Sequence, residues 1–101
     1  MNDPIEDVLN KLRGKESVQR ARLSKNFLHT VGEVLEREGF ATARLFLQEK
    51  REQAATRETA RVLLDDVLPV LAACERVRQN RAIGRYIIKA LPTLQERGGR
   101  R

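Results

Sequence analysis

Apolar residues recur at helical spacing along almost the whole chain. Ile5, Val8, Leu9 and Leu12 fall at i, i+3, i+4 and i+7, one face of a helix predicted over 4–13. Asp3 is placed to cap it, Pro4 suits its first position, and Glu6 and Asp7 complement the positive end of its dipole. Gly14 ends it, because glycine enters the left-handed conformation at low cost. A second helix is predicted over 17–38, with Val18, Ala21, Phe27, Leu28, Val31, Val34 and Leu35 inward and Gly39 as its stop. Ser24 is an alternative start inside that stretch. Gly32 sits within it at a cost of ~1 kcal/mol relative to Ala, which a close helix–helix approach would justify.

A turn at Gly39–Phe40 leads to a third helix over 41–54, with Ala43, Phe46, Leu47 and Ala54 inward. Thr56 is placed to cap a fourth helix over 57–79, whose wide apolar face carries Leu63, Leu64, Val67, Leu68, Leu71, Cys74 and Val77. Pro69 lies in its middle, lacking a backbone donor and crowding the preceding turn. The apolar period continues through it, so a kink is predicted rather than a break. Asn80 would close this helix. The fifth spans 81–91, with Ile83, Tyr86, Ile87, Ala90, Leu91 and then Leu94 as its stripe. Pro92 should end it, and residues 96–101 read as a frayed basic tail. No segment alternates as a strand would. The pattern predicts an all-α fold: a single compact bundle of about five helices in one domain spanning 1–101.

Composition supports that picture. The chain is 41% apolar and 34% charged, too apolar for a disordered protein and rich in good helix formers. Cys74 is the one cysteine, so no intrachain disulfide forms, and a reducing compartment is the natural expectation. The first residues carry neither a positive cluster nor an apolar stretch, as a signal peptide would, and no apolar run approaches the ~20 residues of a membrane span. A soluble, cytoplasmic protein is expected, held together as a homo-oligomer given its size.

Charge changes the picture most. The net +6 is segregated: residues 1–10 carry −3, residues 11–25 carry +5, residues 26–74 carry −2 and residues 75–101 carry +6. The first basic cluster includes Arg20, Arg22 and Lys25. In the second, Arg81, Arg85 and Lys89 lie four residues apart on one helix face, which Arg78 joins if the fourth and fifth helices are continuous. That face lies opposite Ile83 and Ile87, so its cations are expected in solvent. Such a row attracts a phosphate backbone through counterion release, and four to six contacts would give a log–log salt slope of about −4 to −5. Phe27, Phe40, Phe46 and Tyr86 all fall at predicted core or turn positions. With no aromatic among the basic residues, duplex DNA is favoured over single strands.

Other constellations are weaker. The stretch Val31–Gln48 is the best candidate for a helix-turn-helix, with Thr42, Arg44 and Gln48 outward, but bulky Leu35 stands where a small residue is wanted and a plain hairpin is simpler. His29 and Glu33 are i, i+4, two ligands where zinc needs about four. Asp65 and Asp66 are adjacent and diverge by ~100° on a helix, so they are no proton-sharing pair; Arg61 or Arg57 is the expected partner. No nucleophile, base and orienting group line up, and no glycine-rich loop follows a strand. The chain is therefore expected to be no enzyme, with no cofactor, metal, membrane or small-molecule substrate. The expected function is a small regulator that binds nucleic acid, duplex DNA by the aromatic criterion, as a dimer. The alternative is a protein-binding regulator or subunit of a larger complex, docking on an acidic or apolar protein surface through Leu64, Leu68, Leu71 and Val77.

Overall fold

The computed structural model describes the backbone of residues 4–78 and 81–99 and the side chains of residues 4–74 and 81–94. Asp3, Asn80 and the side chains of Val77 and Arg78 lie outside that set. The described residues form α1 (Pro4–Arg13), α2 (Glu16–Arg20), α3 (Lys25–Glu38), α4 (Phe40–Arg51), α5 (Arg57–Val62), a π-helical turn (Leu63–Val67), α6 (Leu68–Arg78) and α7 (Arg81–Gly99). The architecture is an all-α bundle.

Its centre is the pair α3 and α7, which pack more extensively than any other two elements. Gly32 meets the Cα and Cγ of Arg85, Gly84 meets Leu35, and Gly39 meets Arg81, so the two helices run antiparallel. Leu28, Val31 and Leu35 of α3 and Ile87, Ile88 and Leu91 of α7 are fully buried here. Both glycines lie where side-chain bulk is absent on one helix so that the other can approach. Around this pair, α1 packs on α7 and α6, α2 packs on α7, and α4 packs on α3 and α5. Phe27 of α3 and Phe46 of α4 stack with ring centroids 6.0 Å apart, and Lys50 covers the Phe46 ring at 5.5 Å.

The predicted helix over 17–38 is two helices. Residues 21–24 leave helical geometry, and Ser24 caps α3 by accepting the Phe27 N–H. Leu23 and Leu28 occupy the staple positions N′ and N4 and are both buried, a local signal stronger than the period that ran across it. The linker is tied down by Thr59, whose hydroxyl donates to the Arg22 carbonyl at 3.0 Å. Ser17 donates to Asp66 at 2.5 Å and joins α2 to the π-helical turn.

Gly39 is the whole connection between α3 and α4, with φ of 97°. A side chain there would be strained and would also strike the Arg81 guanidinium. Thr56 stands before α5 yet makes no cap; its hydroxyl donates back to the Lys50 carbonyl at 2.7 Å. Ala54 is exposed, outside the core expected for it.

Pro69 neither breaks the helix nor acts alone. The turn just before it widens to π geometry, with the Leu68 N–H bonded to the Leu63 carbonyl. Pro69 has no N–H to continue that ladder, so the wide turn sits where the missing donor matters least. Pro92 does not end the last helix, which continues through it to Gly99 and takes in residues 96–99 of the stretch read as a tail. No helix among the described residues is long and apolar enough to cross a membrane.

The two glycines predict different responses. A methyl group at Gly84 would sit 2.7 Å from Leu35 Cδ2, in a core where Leu35 cannot swing aside; at Gly32 it would sit 3.1 Å from Arg85 Cγ, on a flexible stem. Gly84→Ala should therefore lose about 1–2 kcal/mol in urea denaturation despite its better helix propensity, while Gly32→Ala should be neutral or slightly stabilising. Equal effects of the two would refute the close-approach account.

Candidate nucleic-acid interface

The three residues of the expected basic stripe on α7 have different fates. Arg85 is drawn to α3, where Glu36 accepts from it at 2.8 Å and Glu33 stands at 3.5 Å. Its side chain is 31% exposed, and the hydrogen bond it donates to Glu36 holds its proton more firmly than usual. The expectation of a solvated Arg85 is thus corrected: α3 carries two carboxylates one turn apart directly across from it. Glu33 also meets His29 Nε2 at 3.2 Å, so that histidine belongs to a chain of polar contacts. Arg81 lies against the backbone of Gly39 at the other end of α3. Lys89 alone of the three stands in solvent without a charged partner.

Lys89 does not stand by itself. Together with Thr93 and Pro92 of α7 it lines one side of a shallow depression of about 420 Å³, and Lys25, Asn26 and His29 of α3 line the other. Lys25 comes from the first basic cluster and Lys89 from the second, which are remote in sequence and meet because α3 and α7 are antiparallel. Lys25 is the first residue of α3, whose opening turn has no acidic residue. Helix N-termini ordinarily take acids there, so a lysine works against the dipole and leaves the local potential positive. Two ammonium groups, an amide and a hydroxyl make a surface suited to an anion.

Arg22 is exposed on the linker next to Lys25, and Arg20 is exposed but paired with Glu16 at 2.5 Å. Arg61 is likewise engaged, with Glu58 at 2.7 Å and Asp65 at 3.9 Å. Arg22, Lys25 and Lys89 are therefore the predicted contact residues that the described side chains leave unpaired.

The apolar face proposed for a partner is partly taken up by the fold. Leu71 is buried in the core, whereas Leu68, also largely buried, still lines a shallow groove between α4 and α6. Leu64 is half-buried and lines that groove together with Leu68, Phe40, Ala41, Arg44, Pro69 and Ala72. Leu45, 62% exposed, follows Ala41 by one turn on the same face of α4. Periodicity missed Leu45 because it falls outside the stripe that Ala43 and Leu47 define. Tyr86 is the other exception: expected in the core, it is 59% exposed, and Ile88 is buried in its place. The stripe on α7 is rotated by the close approach to α3, which buries the side carrying Gly84 and Ile88.

The helix-turn-helix reading of Val31–Gln48 meets a connection of one residue where that motif has three or four, although Thr42, Arg44 and Gln48 are exposed. Among the described residues, no three His, Cys, Asp or Glu side chains gather as they would around a metal ion. Cys74 is a half-buried thiol beside Pro69, Val70 and Ala73.

Compared with known proteins, the chain matches no family model, no curated protein and no solved structure.

The pairing of Arg61 makes one prediction about pH. The hydrogen bond and charge of Arg61 hold the Glu58 carboxyl below the usual glutamate range. A folded value below the unfolded one means that the pair's stabilisation is present above the unfolded midpoint and lost as pH falls through the folded one. Carbon-detected NMR titration should show Glu58 ionising at lower pH than in Arg61→Gln; coincident curves would contradict it.

Proposed function

We propose that the protein binds nucleic acid through its phosphate backbone, without catalysing a reaction on it. The observation that carries this reading is the convergence of Lys25 and Lys89, one from each basic cluster, on one depression at the start of α3. Arg22 extends the same positive surface along the linker. Arg85 is left out of the contact set, because Glu33 and Glu36 already occupy it.

A homodimer is part of the proposal. The apolar groove between α4 and α6, extended by Leu45, is the surface for a second copy; an unrelated protein docking there is the rival reading.

Two measurements test this. Fluorescence anisotropy at several salt concentrations should give binding that weakens steeply with salt, and Lys25→Gln/Lys89→Gln should flatten the log–log slope by about 1.5–2. Glu33→Gln/Glu36→Gln should instead steepen it by up to about 1, by releasing Arg85. Binding indifferent to salt, or to all four substitutions, would defeat the phosphate reading. In sedimentation equilibrium the wild type should be a dimer and Leu45→Glu a monomer; a wild-type monomer at all concentrations would remove the dimer.

A further inference from the structure

We infer that the nucleic acid taken by this surface is single-stranded, with a base stacked on Tyr86 and neighbouring phosphates held by Lys89 and Lys25. This role for Tyr86 presupposes the phosphate-binding reading above and adds the class of nucleic acid to it.

Phe27 and Phe46 stack on each other and Phe40 is half-buried, whereas Tyr86 is exposed. Its surroundings on α7 suit an incoming flat group. Ala82, Tyr86, Lys89 and Thr93 follow at i, i+4, i+7 and i+11, and all four are exposed, so they form one continuous solvent stripe. Its helix neighbours Ala82 at i−4 and Ala90 at i+4 carry only methyl groups. Lys89 lies one turn further on, about 4.5 Å along the helix axis. Beyond it, Lys89 and Thr93 form one wall of the depression whose other wall carries Lys25, Asn26 and His29.

An aromatic ring at the edge of a cationic groove is what holds a single strand: the ring stacks on a base of any identity while the cations track the backbone. In a duplex the base faces are hidden in the stack, and an exposed tyrosine beside the phosphates would be left in water. The expectation of duplex DNA rested on having no aromatic among the basic residues, and Tyr86 removes that ground.

Tyr86 is the one tyrosine in a chain without tryptophan, so intrinsic tyrosine fluorescence reports this ring alone. Unlabelled single strand of about 16 nucleotides should quench that fluorescence, and the blunt duplex of the same sequence should not. By anisotropy, Tyr86→Ala should weaken single-strand binding about tenfold and leave duplex binding and the thermal melt unchanged, while Tyr86→Phe should bind as the wild type does. Unquenched fluorescence on binding, an unaffected Tyr86→Ala, or a wild type that prefers duplex would each overturn the stacking role; the phosphate reading would survive if Lys25→Gln/Lys89→Gln still flattened the salt slope. If neither probe binds the full chain at low salt, both fall together.

Discussion

The close antiparallel approach of α3 and α7 governs the rest of the molecule. It is permitted by hydrogen in place of a side chain at Gly84 and Gly32, and by the interlocking of Leu35 with the surface that Gly84 leaves open. Helices that approach this closely exclude water along their contact, and the fully buried Leu28, Val31, Leu35, Ile87, Ile88 and Leu91 follow from it. The same approach selects which α7 side chains are captured and which are released. Arg85 is brought against two carboxylates, Lys89 is brought beside Lys25, and Tyr86 is turned away. The candidate interface is thus a consequence of the core packing.

The fold class was legible because it rests on short-range periodicity, which α1, α4 and the stretch from α5 to α6 display clearly. What periodicity could not resolve was where one apolar face ends and another begins. Val18 and Ala21 join smoothly to Phe27 and Leu28 in the pattern, yet the chain turns at residues 21–24, and only the pairing of Ser24 with Leu23 and Leu28 signals it. Pro92 illustrates the opposite error. A proline forfeits one hydrogen bond, but packing on α3 and α1 holds α7 together across it.

The candidate site was legible in part, for an electrostatic reason. Charge along the chain reveals which residues are basic but not which carboxylates face them from another helix. Glu33 and Glu36 are remote from Arg85 in sequence, so only the three-dimensional arrangement distinguishes a neutralised arginine from the unpaired Lys89. Tyr86 was misplaced for a related reason. Its spacing from Ile83 and Ala90 is helical, but the buried side of α7 is set by Gly84 and Ile88, and a glycine gives no hydrophobic signal at all.

The π-helical turn at Leu63–Val67 has a further consequence for how this chain tolerates change in length. A wide turn holds one residue more than an α-helical turn would over the same path, so it behaves as a single-residue insertion stored within the helix. Everything after it, including Pro69 and the apolar run Val70–Cys74, is rotated by about 100° relative to α5 compared with an uninterrupted helix. Loss of one residue here would let the wide turn close to α-helical geometry and leave α6 presenting the same side to α1, whereas the same loss within α6 would rotate everything after it by about 100°. The angular phase between the two halves of this long helical stretch is therefore encoded by residue count as much as by residue identity.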